Sequence, residues 1–133
     1  NVLLNAHTID GIDESYIAYR QRSNSISTSW TMKNLQDCLF ILEKWNTLLS
    51  EENISDFLRN AMLSSLAKLY CNLLIAYTKF KDKEKKQYKE RLKALVILLK
   101  HDVNPRVKAF KKISNVCGFQ GLLFCLKIIC KLR

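Results

Sequence analysis

The sequence predicts a mainly α-helical protein, in which a short N-terminal strand and loop precede a bundle of four or five helices. Only three glycines and one proline occur in 133 residues, which is too few for a fold rich in tight turns. Apolar residues recur at helical spacing over most of the chain. The hydrophobic fraction of 48% and the charged fraction of 26% are those of a folded domain. These features exclude a Gly-rich sandwich, a collagen, and a doubly wound α/β domain with a phosphate-cradling glycine loop.

The strand is predicted within residues 9–22, because side chains alternate there between two faces. Tyr16, Ala18 and Arg20 fall on one face of such a strand. Polar residues 23–29 show no helical period and predict a loop. We expect the chain to divide where this loop gives way to helical spacing, with residues 1–29 as a trailing strand and loop and residues 30–133 as a helical domain.

Helical spacing begins at Trp30, where Leu35, Leu39 and Leu42 mark the first apolar stripe. Asn104-Pro105 is a typical helix start, with Asn as the N-cap and Pro at the first helical position. The predicted helices cover about residues 31–49, 54–80 and 81–101, a short helix from Asn104-Pro105, and an apolar last segment over 118–133.

Positive charge is concentrated in the C-terminal part of the chain. Residues 1–78 contain six Lys/Arg and eight Asp/Glu, whereas residues 79–133 contain sixteen Lys/Arg and four Asp/Glu. This asymmetry indicates a polyanionic neighbour, either nucleic acid or an anionic membrane surface. The alternative is a solvated lysine-rich helix face.

The sequence contains no recognisable catalytic or metal-binding set. P-loop, GxGxxG, HExxH and GxSxG motifs are absent, and His7 and His101 stand alone. The five cysteines include no CxxC pair, which favours reduced core thiols in a cytosolic protein over a disulfide or zinc framework. We therefore predict no catalytic residues and no metal ligands in this chain.

The most informative stretch is YIAYRQRSNSISTS, residues 16–29. It resembles the segment that ends the catalytic domain of bacterial family 2 glycosyltransferases, where an aromatic-rich strand leads into Tyr-Arg-Gln-Arg and then Ser-Ile-Ser or Ser-Ile-Thr. The specific match covers about 20 of the 133 residues. The residues that match the motif are Tyr19, Arg20, Gln21, Arg22, Ser25, Ile26 and Ser27.

The resemblance implies that this chain is the C-terminal region of a GT-A type enzyme, without its catalytic α/β domain. The sequence begins at Asn1 and not at a methionine, which agrees with that expectation. The parent would use a nucleotide sugar with a divalent metal, Mg or Mn, to extend a cell-surface glycan on a glycan or lipid-linked acceptor. The chain alone is expected to be inactive and to need no cofactor. Tyr19, Arg20, Gln21, Arg22, Ser25 and Ser27 would contact donor or acceptor, or the arginines would only pair with the missing domain.

The basic and apolar C-terminal end suggests a peripheral position at the inner face of a membrane. Residues 118–132 would form a helix of about 22 Å, shorter than a bilayer core of about 30 Å, which disfavours a membrane span. An in-plane helix remains open, as does a helix buried in the core. The predicted membrane or anion contacts are Lys108, Lys111, Lys112, Lys127 and Lys131.

Two other functions remain open from the sequence. The first is a basic helical module that contacts nucleic acid, although Asp82, Glu84 and Glu90 interrupt its lysines as on a solvated face. The second is a structural bundle that forms a homo-oligomer through the apolar tail. Under the glycosyltransferase hypothesis, the helical part would shape the acceptor side, dock the enzyme at the membrane or hold a partner.

Overall fold

The computed structural model describes residues 30–51 and 54–131, and these are mainly helical as predicted. The strand and loop expected in residues 1–29 lie outside the described residues. The helices are α1 (Met32–Glu51), α2 (Asp56–Lys79), α3 (Asp82–Lys85), α4 (Lys89–Ala94) and α5 (Pro105–Lys131), with 3₁₀ turns at Lys86–Tyr88 and Leu95–Lys100.

Helix α1 follows the predicted apolar stripe closely. The Thr31 hydroxyl accepts a hydrogen bond from the Asn34 backbone N–H at 3.2 Å and caps the first turn. The buried side chains recur at helical spacing along one face and are Leu35, Leu39, Leu42 and Leu49. The prediction of this helix is confirmed to within two residues at either end.

Helix α2 is the central helix of the described bundle, because it packs against α1, α5 and the 3₁₀ turn at Leu95–Lys100. Ser55 caps its start by accepting a hydrogen bond from the Leu58 N–H. Its second half is buried on more than one side, and its buried residues are Ala67, Tyr70, Cys71, Leu73, Leu74, Ala76, Tyr77 and Thr78. The single stripe predicted through Leu73 and Tyr77 is therefore part of a wider buried surface.

The prediction of a regular third helix is wrong, because residues 82–100 alternate between α-helix and 3₁₀ turns. The spacing of the buried positions does not cause the difference. Tyr88, Leu92, Leu95 and Leu99 are four, three and four residues apart, which also places them on one face of a regular α-helix.

Two side-chain bonds hold this irregular segment against the bundle. The hydroxyl of the fully buried Tyr70 donates to the Leu92 carbonyl at 2.7 Å, two residues before α4 ends. Arg91 forms a two-pronged ion pair with Glu43 on α1, through Nε–Oε1 at 2.8 Å and Nη2–Oε2 at 2.6 Å. The segment is thereby joined to both α1 and α2.

Helix α5 begins where the sequence predicts, and the Asn104 side chain accepts a hydrogen bond from the Arg106 N–H at 2.9 Å. The short helix and the last segment, which the sequence separates at Gly118, are two helical halves of α5 that meet at a kink at that residue. Gly118 has φ 66°, a left-handed conformation that glycine adopts without the steric cost of a Cβ. The break lets both halves of α5 pack against the bundle.

Candidate anion-binding cleft and docking face

The residues of the glycosyltransferase-like motif lie outside the described residues, so their role stays a prediction. They are Tyr19, Arg20, Gln21, Arg22, Ser25 and Ser27. The five lysines predicted to contact a membrane or an anion all lie on α5, on both sides of the break at Gly118.

The three lysines before the break have different surroundings. Lys108 and Lys112 are exposed. Lys111 is half-buried, and its Nζ lies 3.1 Å from Asp102 Oδ2. That hydrogen bond holds the pKa of the Asp102 carboxyl below its usual value. Lys111 therefore joins α5 to the turn before it, whereas Lys108 and Lys112 remain accessible to a partner.

The C-terminal half of α5, residues 119–131, carries apolar residues on two opposite faces. Phe119, Leu122 and Leu126 are buried in the core. Phe124 is 65% exposed and Ile128 is 43% exposed, about 40° apart on the other side of the helix. Lys127 and Lys131 are exposed along one border of this second face. We call Phe124, Lys127, Ile128 and Lys131 the α5 face.

Both sequence hypotheses for the tail were therefore incomplete. One side of this segment belongs to the core, as the buried-helix alternative requires. The other side exposes large apolar groups beside lysines, as the in-plane alternative requires. Basic side chains are the only charged ones on α5, since Pro105–Lys131 contains six Lys/Arg and no Asp or Glu.

By length and composition α5 is also apolar enough to cross a membrane. It has 27 residues, and its most apolar 18-residue window has a mean hydropathy of 1.6. Of that window, 17% is buried in the bundle. The length of about 22 Å expected for the tail covers residues 118–132 alone, and the half of α5 before Gly118 adds to it. The break at Gly118 leaves two halves of about 20 Å each, both shorter than a bilayer core.

A cleft opens beside the α5 face, between the end of α2, residues 85–89 and α5. Its cavity volume is about 410 Å³, within the range of small-molecule sites. Four lysines line it, and no acidic residue is among the described residues that do so. The lining residues are Tyr77, Thr78, Lys85, Lys86, Lys89, Gln120, Leu123, Phe124 and Lys127.

Lys85 is the most buried charged residue of this cleft, with only 7% of its surface exposed. Its ammonium lies 5.1 Å from the centre of the Tyr77 ring, a cation–π distance. The ring face supplies partial negative charge that offsets some of the cost of burying the ammonium. Lys85 is thus held at the wall of the cleft, with Lys86 and Lys89 on the same short segment.

This cleft was not predicted from the sequence, in which the charges of residues 81–93 alternate in sign as on a solvated helix face. One signal was available, since Lys85 precedes the apolar Tyr88 by three residues and Leu92 by seven. Those spacings place Lys85 on the apolar side of the segment. The contribution of Lys127 depends on how α5 packs and could not be predicted.

No described residues form a group of three or more His, Cys, Asp or Glu that could hold a metal ion. All five cysteines lie in the described part of the chain and none forms a disulfide. Only Cys71 is buried, and burial raises the pKa of its thiol to about 11. Cys38, Cys125 and Cys130 are half-buried, and Cys38 packs against the core. The prediction of core thiols is wrong for Cys117, which is exposed.

Comparison of the chain with protein families, curated proteins and solved structures gave no match. The resemblance to family 2 glycosyltransferases accordingly depends on residues 16–29.

Proposed function

We propose that this chain is the C-terminal part of a glycosyltransferase and that its helical bundle docks the enzyme on an anionic membrane surface. The docking depends on the α5 face, and the parent enzyme transfers a sugar from a nucleotide sugar to a cell-surface glycan acceptor. The bundle then works at the cytoplasmic face of the inner membrane, where a lipid-linked acceptor is accessible. Catalysis and the divalent metal, Mg or Mn, belong to the α/β domain of the parent.

The glycosyltransferase part of the proposal is supported by the ordered string from Tyr19 to Ser27. Arginine is suited to a diphosphate leaving group because its guanidinium donates two parallel hydrogen bonds to phosphate oxygens. Arg20 and Arg22 stand where the family's motif has its two arginines. The proposal requires the reading frame upstream of Asn1 to encode an α/β domain with a DxD motif. If sequencing shows that the upstream reading frame encodes no such domain, this part of the proposal is wrong.

The docking part depends on one observation, which is the exposed apolar α5 face bordered by lysines. Phe124 and Ile128 would enter the interface between head groups and acyl chains. Lys127 and Lys131 would lie near lipid phosphates, where each lysine contributes about 1 kcal/mol. The absence of acidic residues on α5 avoids repulsion from an anionic leaflet.

Charge distinguishes this face from an exposed apolar pair on α1. Phe40 and Ile41 on α1 are exposed to a similar extent. Exposed Asp37 lies one turn before them and exposed Lys44 one turn after Phe40, so charges of both signs border that pair. An anionic membrane therefore favours α5 over α1.

A peripheral position is also favoured over a span. Val107, Phe110, Phe119, Leu122 and Leu126 are buried in the bundle, and α5 could cross a bilayer only if these side chains left it. Burying one such side chain contributes about 1.5–3 kcal/mol to folding. An in-plane position preserves all of these contacts.

Flotation of the full chain with vesicles tests the docking. We expect the chain to float with vesicles that contain phosphatidylglycerol, to float less as salt rises, and to remain below with phosphatidylcholine alone. Extraction at alkaline pH should release it, whereas a membrane span would resist extraction. Failure to float, combined with a size that grows with protein concentration, would favour the homo-oligomer. Binding to a random DNA duplex at low salt without flotation would favour the nucleic-acid module.

A further inference from the structure

A second cavity opens between α2 and the start of α5, and it shares no lining residue with the lysine-lined cleft. Its volume is about 460 Å³, within the range of small-molecule sites. The described residues that line it are mostly polar, and none of them is acidic. They are Lys68, Asn72, Asn104, Pro105, Arg106 and Val107.

Both asparagines of this cavity are oriented by Arg106. The Asn72 side-chain oxygen accepts a hydrogen bond from Arg106 Nη1 at 3.0 Å. The Asn104 side-chain oxygen accepts one from the Arg106 backbone N–H at 2.9 Å. Neither amide NH₂ group has an acceptor within the described residues. Because the amide oxygens are already engaged, the asparagines offer donors to a ligand in the cavity.

Lys68 and Arg106 add two positive charges to these amide donors. Lys68 is exposed one turn before Asn72 on α2, and Arg106 is exposed in the first turn of α5. In the part of the chain that the structure describes, no carboxylate forms an ion pair with either of them. Asp102, the acidic residue nearest to Arg106 in the sequence, pairs with Lys111 at 3.1 Å. The polar groups that remain available in the cavity are therefore donors, and two of them are cationic.

These groups favour a phosphate over a carboxylate. A phosphate monoester carries a charge of about −1.5 to −2 at neutral pH and offers three acceptor oxygens, which matches two cations and two amide donors. A carboxylate has a single charge on two oxygens. Arg106 uses Nη1 to bond Asn72, and its other guanidinium N–H groups can donate in parallel to phosphate oxygens.

The remaining lining indicates a water-soluble ligand. Pro105 and Val107 are the only apolar residues among those described that line the cavity, and Val107 is fully buried. An acyl chain would therefore find little apolar surface beside the phosphate. A small polar compound loses nothing there.

We propose that this cavity binds the phosphate group of a small, water-soluble phosphate compound. Lys68 and Arg106 bind the phosphate oxygens, and the NH₂ groups of Asn72 and Asn104 donate the further hydrogen bonds. The site is independent of membrane docking, because none of its residues belongs to the α5 face.

Heteronuclear NMR titration of the full chain in phosphate-free buffer tests the site. The ligands are glycerol 3-phosphate, inorganic phosphate and acetate. We expect both phosphates to shift the side-chain amide signal of Asn72 and the backbone signal of Arg106 saturably, with one ligand per chain. Acetate should bind at least about tenfold more weakly, because it has less charge and fewer acceptors. Tighter binding of glycerol 3-phosphate would support a phosphate ester as the ligand, and tighter binding of inorganic phosphate would support the free ion.

Asn72→Asp identifies the cavity as the place of binding. The new carboxylate can still accept the hydrogen bond from Arg106, and the position is exposed, so the variant should fold, which circular dichroism checks. The variant replaces an amide donor with a negative charge beside the phosphate, and we expect at least about tenfold weaker binding. Asn60→Asp is the matched control, because Asn60 is exposed on the same helix, about 18 Å along its axis from Asn72, and the change in net charge is the same.

Three results would overturn the proposal. The first is the absence of saturable phosphate binding in a folded wild-type chain. The second is an affinity for acetate equal to that for phosphate. The third is a loss of affinity in Asn72→Asp no larger than in Asn60→Asp, which would mean that only net charge matters. None of these measurements uses vesicles, so this site and membrane docking can fail separately.

Discussion

Replacing the apolar groups of the α5 face should weaken membrane docking more than the same replacement on α1. The test variant is Phe124→Ser/Ile128→Ser. The control is Phe40→Ser/Ile41→Ser, whose side chains are 60% and 42% exposed against 65% and 43% in the test pair. The two variants therefore remove the same residue types with almost the same exposed surface.

The magnitude follows from the exposed fractions. Complete transfer of a large apolar side chain from water contributes about 2–3 kcal/mol, so the exposed fractions of Phe124 and Ile128 together contribute about 2.5 kcal/mol. That free energy corresponds to about 70-fold in the partition coefficient. Incomplete insertion would reduce the factor, and we expect a loss of at least about tenfold.

The assay is the bound fraction in flotation across a titration of phosphatidylglycerol vesicles. The α1 control should change the partition coefficient by less than about twofold. An α1 variant that loses as much binding as the α5 variant, with both proteins folded, would refute the assignment of the docking face to α5.

Three further predictions concern the bundle itself. Tyr70→Phe removes the buried hydrogen bond to the Leu92 carbonyl and should lower the free energy of unfolding by about 1–2 kcal/mol in urea titrations. The hydroxyl of Tyr88 has no hydrogen bond within the described residues, so Tyr88→Phe should lower the free energy of unfolding by less. Gly118→Ala places a Cβ at a backbone conformation (φ 66°, ψ −178°) that essentially only glycine adopts, and it should cost about 1–3 kcal/mol by thermal unfolding. Burial lowers the pKa of His101, so the unfolded chain takes up this proton first and stability should fall as pH drops below about 6.5. His101→Gln should flatten that part of the pH profile, and an unchanged profile would contradict this origin.

Helices whose buried face lies against one neighbour were predictable from the sequence. The stripe of α1 and the Asn104-Pro105 start of α5 are local patterns, and both appear where they were expected. The same patterns could not show that residues 82–100 leave regular α-helix, because that change depends on packing against α2 and on the hydroxyl of Tyr70.

The candidate site was predictable only in part. Lys127 was identified as a contact from its place on the polar stripe of the last helix. Lys85 was not, because its burial against Tyr77 joins two residues from different elements. The dual role of α5, with Leu122 in the core and Phe124 exposed, depends on where the neighbouring helices end.

Hydroxyl-radical footprinting in the presence and absence of phosphatidylglycerol vesicles would test the membrane-docking proposal most directly. Phe124 is compared with Phe40 and Phe57, which are exposed phenylalanines on α1 and α2. The proposal predicts that vesicles slow the oxidation of Phe124 and leave the rates at Phe40 and Phe57 unchanged. Protection of Phe40 or Phe57 with continued oxidation of Phe124 would contradict it.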